Sequence, residues 1–574
     1  MAAVRGRPAT LPAWQLPTKP DLTIPMAVLL LAVLVFLVGN PLYQLLHFSL
    51  SDPRTGALTL ANYAAAFGRP RYVQALVNSL WLGAAASAIA AAIAVPMAWG
   101  VSRTDLPGAR WFHAVVLGSF LIPPFVGAIG WILLGGPNAG WLNRVWVRLS
   151  GADHGPFNIF SFTGLALVTA LYSYPLIYIF TKSALDLIPN DMEEAAAILG
   201  ARPIRLTLGV TLPLALPAIL GAVLLVFLEA LGLYGTPALL AIPAGFNVVT
   251  TQLAAFFENP IRLEVASAFS MPLVGITVLL LWLQRRLLRR RSYITVTGKG
   301  GHREALKLGG WRWLLFAYAA CVAAMTVVLP LAVLLQTAFS KAWAQPMSWA
   351  NFTTENLRQI LFVQATVRDA LANTIGYALL TATACTVLGF GTSYITQRRL
   401  LPFPALWAGM TLAPFAVPGI VLAICFYAAY AVPPFSLYGL GTLIVIAFTT
   451  RFVPVSFTSA GTAIAGLNPE LEEAARIAGG GRGQVLRWVV LPILKKPVFG
   501  AWLLVFIIAT RELSTAIFLS GPQTRVISVL TLELSEQGQY EPLAAIALLL
   551  LAVTGLVAFM GTLLLGRDFM ERRA

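Results

Sequence analysis

Read as apolar and polar positions, the chain alternates long greasy runs with short hydrophilic breaks. Runs long enough to cross about 30 Å of hydrocarbon predict helices at 24–47, 73–100, 111–134, 160–181, 212–232 and 265–284. A second set predicts helices at 313–338, 370–396, 404–430, 437–459, 498–520 and 543–565. The expectation is an all-α polytopic membrane protein with twelve spans: a tail at 1–23, a six-helix unit at 24–284, a basic linker at 285–312, a second six-helix unit at 313–566 and a tail at 567–574. The first run is longer than the roughly 7–15 apolar residues of a signal-peptide core and lacks a small-residue cleavage site, so it reads as a retained helix.

Two of the breaks are copies. Asn190-Asp191-Met192-Glu193-Glu194-Ala195-Ala196-Ala197-Ile198-Leu199-Gly200 leads to Leu212-Pro213, and Asn468-Pro469-Glu470-Leu471-Glu472-Glu473-Ala474-Ala475-Arg476-Ile477-Ala478-Gly479 leads to Leu491-Pro492. Glu194 to Glu473, Gly200 to Gly479 and Pro213 to Pro492 are all separated by 279 residues. Asn78-Ser79 and Pro107 recur as Asn373-Thr374 and Pro402 at a separation of 295, so the first half carries about 16 extra residues, expected mostly in the loop 135–160. Six spans per copy keep the copies in the same orientation, which makes them parallel repeats about an axis along the membrane normal.

Each copy has the marks of a short exposed helix. Asn190 or Asn468 can cap it, Pro469 suits the first helical position, and the glutamates complement the helix dipole. Alanines favour helix while keeping a slim profile. Gly200 and Gly479 can adopt the left-handed conformation that ends it. Gly480-Gly481 in the second copy predicts a looser end.

Composition agrees. Of 574 residues 58% are hydrophobic and 11% charged, against roughly 25% charged in soluble domains. The net charge of +16 does not form a nucleic-acid-binding face, because it sits in loops. Of 39 Lys and Arg, 27 fall on the side holding both termini, the linker and both Glu-Glu-Ala-Ala breaks; 10 fall on the other, and Arg451 and Arg511 lie within spans. By the positive-inside rule the richer side faces the cytoplasm. Cys321, Cys385 and Cys425 lie in apolar runs, and the four histidines have no ligand spacing, so no metal site is legible. The chain has no Gly-x4-Gly-Lys-Ser/Thr loop and no nucleophile triad, so it is not expected to be an enzyme.

The breaks carry a specific resemblance. Glu194-Ala195-Ala196…Gly200…Val210-Thr211-Leu212-Pro213 and Glu473-Ala474-Ala475…Gly479…Val489-Val490-Leu491-Pro492 resemble the signature loop of binding-protein-dependent ABC importer permeases, with valine for the usual isoleucine. The chain looks like the fused type I subgroup that includes ferric-iron, thiamine and 2-aminoethylphosphonate permeases. The resemblance implies a bacterial inner-membrane subunit whose coupling helices (Glu193, Glu194, Ala195, Ala196, Gly200; Glu472, Glu473, Ala474, Ala475, Gly479) dock on two copies of a cytoplasmic ATP-binding subunit. ATP and Mg would be bound by those partners, with no cofactor in this chain, and a periplasmic binding protein would deliver the cargo. Ferric iron is the expected cargo. The alternatives are a small organic anion, such as 2-aminoethylphosphonate or a phosphate ester, and a different class, an ion-gradient-driven secondary transporter.

Ionisable residues inside a membrane span default to function. Glu229, Gly235, Thr236, Arg511, Glu512 and Arg451 are the pathway candidates, Arg451 the least favoured. The bland reading is an ion pair, such as Arg511 with Glu229, that merely satisfies its own charges.

Overall fold

The computed structural model describes residues 23–565 apart from 53, 189–197, 199–202, 259, 290–304 and 346–347. Both tails, most of the linker and the first Glu-Glu-Ala-Ala segment therefore lie outside the described residues. Among the described residues the chain is helical, with only isolated β-bridges. In the first half the spanning helices are α1 Ala27–Leu50, α2 Pro70–Arg103, the pair α3 Ala109–Ser119 and α4 Pro124–Gly135, α5 Phe162–Leu187, α6 Thr207–Gly232 and α7 Leu263–Arg286. In the second they are α8 Trp311–Ala338, α9 Ala365–Gln397, the pair α10 Pro404–Ala416 and α11 Gly419–Ala431, α12 Gly441–Ala465, α14 Arg482–Thr510 and α15 Tyr540–Leu565. The short helix α13, Glu470–Ile477, lies between α12 and α14. Among the described residues ten helices are long and apolar enough to cross a membrane, and the count reaches twelve if each bent pair is one span.

The two pairs correct the expectation of straight spans at 111–134 and 404–430. Their helices are bent by 102° and 108°. The cause is proline: α4 follows Pro123 and α11 follows Pro418, both extended (ψ 138° and 147°). A residue before proline is pushed out of the helical region, and proline has no N–H to continue the ladder. Pro123 and Pro418 are themselves 295 residues apart.

Proline also explains the Leu-Pro that closes each signature. The turns Thr207–Thr211 and Leu486–Val490 are widened π-turns, with Leu212 N–H bonded to the Thr207 carbonyl and Leu491 N–H to that of Leu486. A wider turn just before Pro213 or Pro492 removes the clash between the ring and the carbonyl four residues back. The extra first-half loop holds a helix of its own, Trp141–Ser150.

The halves hold each other. Ser79 Oγ accepts from Val249 N–H at 2.7 Å, and Thr374 Oγ1 accepts from Ile527 N–H at 2.9 Å, so each half ties its second helix to a later outlying helix in the same way. The first helix of each half also lies against the other half. Phe36 on α1 packs on Tyr430 (ring centroids 4.6 Å apart), whose hydroxyl donates to the Phe36 carbonyl, and Thr450 Oγ1 reaches the Leu37 carbonyl. Reciprocally, Phe316 on α8 packs on Phe112, and Gly130 on α4 sits against Pro330.

Candidate translocation site and coupling helix

The proline bends of the two halves face each other across a cavity of about 360 Å³. Pro124 and Phe125 line one side, Pro418 and Gly419 the other, and α6, α12 and the end of α14 complete it. Five of the six sequence candidates reach this cavity: Glu229, Gly235, Arg451, Arg511 and Glu512. Thr236 does not. It is fully buried in the short helix Gly235–Leu240, whose residues all lie in the packed core, and among the described residues its hydroxyl has no hydrogen-bond partner.

The charges are arranged differently from the expected Arg511–Glu229 pair. The ion pair at the cavity is Arg451 Nε to Glu512 Oε2 at 3.3 Å, both from the second half, so the residue least favoured from sequence is central. Glu512 is 8% exposed. Its Oε1 accepts from Thr515 N–H at 2.9 Å, and its carbonyl accepts from Ser528 Oγ at 2.7 Å, which ties the end of α14 to the outlying helix Ile527–Glu536. Arg451 Nη1 reaches Thr515 Oγ1 at 3.3 Å. The guanidinium crosses directly over Gly419, where a Cβ would lie 1.4 Å from Nη1. Gly419 is needed here for space.

Arg511 turns instead to the opposite half. It donates to the Phe120 carbonyl, at the bend between α3 and α4, and lies over the Phe120 ring at 4.9 Å. Among the described residues it makes no ion pair within 4.0 Å. That carbonyl is free because the bend ends α3, and a cation over an aromatic face is favourable. Phe415 stands 295 residues on from Phe120, but Gly232 occupies the position 279 before Arg511, so the second bend has no such cover. Glu229 is exposed to the cavity and, among the described residues, has no ion-pair partner within 4.0 Å, although Arg511 is its charged neighbour. We expect Arg511→Ala to leave membrane assembly intact while lowering uptake about tenfold, as the loss of one charge-assisted hydrogen bond of about 1.5–3 kcal/mol implies. Uptake in vesicles normalised to inserted protein checks this.

Phe120, Gly419, Thr515 and Ser528 were not identified from sequence. Only the matched prolines pointed toward that region. At the end of the bundle opposite α13, the Glu536 carboxyl is pushed above its ordinary range by burial and by the neighbouring carboxylates Glu533 and Glu258.

The second signature segment is α13. Asn468 Oδ1 accepts from Glu470 N–H at 3.1 Å, starting the helix. Its end is tighter than its three glycines suggested. Gly479 has φ +88°, its N–H bonds to the Arg476 carbonyl, and Gly480 N–H bonds to that of Ala475. This is the paired Schellman closure. Glu473 and Ala474 face solvent and Ala475 is half-buried, whereas Glu472 turns inward and is buried. Arg398 at the end of α9 meets Glu472 Oε1 at 2.8 Å, and the Tyr394 hydroxyl donates to Oε2 at 2.7 Å. Glu472 therefore anchors α13 to α9. The counterpart residues Glu193, Glu194, Ala195, Ala196 and Gly200 lie outside the described residues. Arg103, the counterpart of Arg398, is buried at the end of α2 and donates to the Leu185 and Ile188 carbonyls that lead into that segment.

Two six-helix halves around a cavity, with a capped helix held at one end, define a membrane transport subunit. Residues 21–293 match the family described as binding-protein-dependent transport system inner membrane component. The ferric transport system permease protein FbpB of Actinobacillus pleuropneumoniae is 25% identical over 85% of this chain and 70% of its own length. The Fe(3+)-transport system permease protein FbpB 2 of Haemophilus influenzae is 23% identical over 92% of this chain and 97% of its own. A putative ABC transporter permease protein, ORF1 of Streptomyces antibioticus, is 33% identical over 30% of this chain and 67% of its own. The chain belongs to the binding-protein-dependent inner-membrane permease family and is a type I ABC importer permease with both halves in one polypeptide.

Proposed function

We propose that this permease imports ferric iron, taken from a periplasmic binding protein and driven by two copies of a cytoplasmic ATP-binding subunit. The observation that carries the cargo is coverage: relatives named for ferric transport align along most of this chain, through both halves. Both termini and α13 face the cytoplasm in this reading, as the distribution of Lys and Arg supports. Glu258, Glu533 and Glu536 then lie on the outer side, where carboxylates favour an arriving cation. α13 and its first-half counterpart are the two contacts for the ATP-binding subunits, which hold ATP and Mg. Their closure draws the two helices together and opens the cavity outward; hydrolysis resets it.

An oxyanion cargo is the second reading, supported by Arg511, whose guanidinium reaches the cavity with no carboxylate within 4.0 Å among the described residues. Uptake into vesicles holding the permease and its ATP-binding subunit discriminates. Radiolabelled ferric iron presented on the binding protein should enter only with ATP. Entry of 2-aminoethylphosphonate instead would give the cargo to the second reading, and uptake unaffected by disabling the ATP-binding subunit would sink the importer mechanism.

A further inference from the structure

At the end of the bundle opposite α13, three arginines converge on one hydroxyl. Tyr72, in the first turn of α2, is fully buried. Its hydroxyl lies 3.0 Å from Arg71 Nη2, 3.2 Å from Arg262 Nη2 and 3.3 Å from Arg69 Nη1. Arg69 and Arg71 also lie against the Tyr72 ring, and Arg262 against Phe256. Arg69 and Arg71 are exposed and Arg262 is half-buried. None of the three has a carboxylate within 4.0 Å among the described residues, although Glu258 and Glu264 are close in sequence. Arg69 immediately precedes α2 and Arg262 immediately precedes α7, so two long helices also direct their positive ends here.

Three guanidiniums on one neutral oxygen repel one another, and their forked donors match a carboxylate. Among the described residues the second half has no matching cluster at the corresponding positions. The positions matching Arg69, Arg71 and Tyr72 are Gln364, Thr366 and Val367, and the position matching Arg262 is Glu541, whose Oε1 accepts from Trp343 N–H at 2.8 Å. The nearby Arg368 is followed at once by Asp369. One half therefore carries a cluster of arginines at this rim, and the matching positions of the other half carry none. Lipid surrounds both halves alike and gives no reason for such a difference. A protein that must dock in one of two half-turn-related orientations does.

We propose that Arg69, Arg71 and Arg262 form a docking site for an acidic patch on the delivering binding protein, and that it sets which lobe meets which half. The proposal rests on the binding-protein reading above. Neutral variants at the exposed positions, Arg71→Gln and the double Arg69→Gln/Arg71→Gln, keep the buried Tyr72 and its third donor Arg262 while removing the exposed guanidiniums from its ring and hydroxyl, and thermal melting checks that they fold. Binding of the system's purified binding protein is measured to the full transporter in nanodiscs of phosphatidylcholine, with and without phosphatidylglycerol. The double variant should bind about tenfold more weakly at low salt and within about twofold of the parent near 0.5 M salt, in both lipids. Its uptake should recover at saturating binding protein, a KM effect without a kcat effect. Reversing carboxylates on one lobe of the binding protein to lysine should abolish the difference between variant and parent. Unchanged affinity and salt dependence, with the parent binding normally, overturns the docking site and leaves the importer reading standing. A difference confined to phosphatidylglycerol discs assigns the cluster to lipid phosphate and overturns it too. A parent that binds in neither lipid sinks the binding-protein reading itself, and this site with it.

Discussion

Arg398→Ala is expected to separate ATP hydrolysis from transport. The guanidinium and the Glu472 carboxylate are 14% and 11% exposed, so the pair is nearly dry. Removing one partner of such a pair costs about 3 kcal/mol, because the other charge stays buried. That is roughly a hundredfold shift in the position of α13 on α9. If the ATP-binding subunit docks on the exposed Glu473 face as proposed, hydrolysis should continue while uptake falls by about tenfold or more. The path for the effect is continuous. α9 packs on α12 so closely that a Cβ at Gly389 would lie 2.7 Å from Phe457 N, and Ser393 Oγ donates to the Phe457 carbonyl at 3.0 Å. α12 in turn carries Arg451 to the cavity. Arg398→Ala/Glu472→Gln should do better than Arg398→Ala alone, since no bare carboxylate remains and Tyr394 can still donate to the amide. Cargo moved per ATP hydrolysed, in proteoliposomes, measures this. A ratio unchanged in Arg398→Ala would show that α13 moves the cavity by another route.

Arg451→Met should cripple the cavity, and Gly419→Ala should act in the same direction but more weakly. Arg451→Met leaves Glu512 buried without its cation, whereas a Cβ at 419 displaces only the flexible end of the guanidinium. The expected cost of Arg451→Met is about 3 kcal/mol, read as a lower melting temperature in detergent and about a tenfold or greater loss of uptake. Arg451→Met/Glu512→Gln should recover the melting temperature but not the uptake. Equal uptake by Arg451→Met and the parent would remove the pair from the mechanism.

Much of this architecture was legible because membrane burial is written in long runs, and copied loops keep their spacing. The signature glycine was readable for the same reason: at Gly479 the backbone needs a left-handed residue, and little else competes for the position. The cavity was less legible. Apolar continuity across 111–134 and 404–430 hid two sharp bends, since Pro123 and Pro418 interrupt the ladder without interrupting hydropathy. The pairing of charges was hidden as well. Whether Glu512 meets Arg451 or Arg511 depends on which guanidinium has room, and that is decided by Gly419 and by a free carbonyl at Phe120. Neither is a property of the charged residues themselves. Thr236 was selected for its neighbours, yet the short helix that starts at Gly235 buries it away from the cavity.

The interlocking of first helices bears on how the protein is made. The Phe36 carbonyl bonds to Tyr430, 394 residues further along the chain. At roughly 5–20 residues per second, about 20–80 s separate synthesis of the two. For that interval the middle of α1 lies against lipid, and the first half, though fully translated, lacks part of its own wall. The nascent chain thus completes neither half before both, and the late arrival of α11 and α12 is the step that covers the middle of α1.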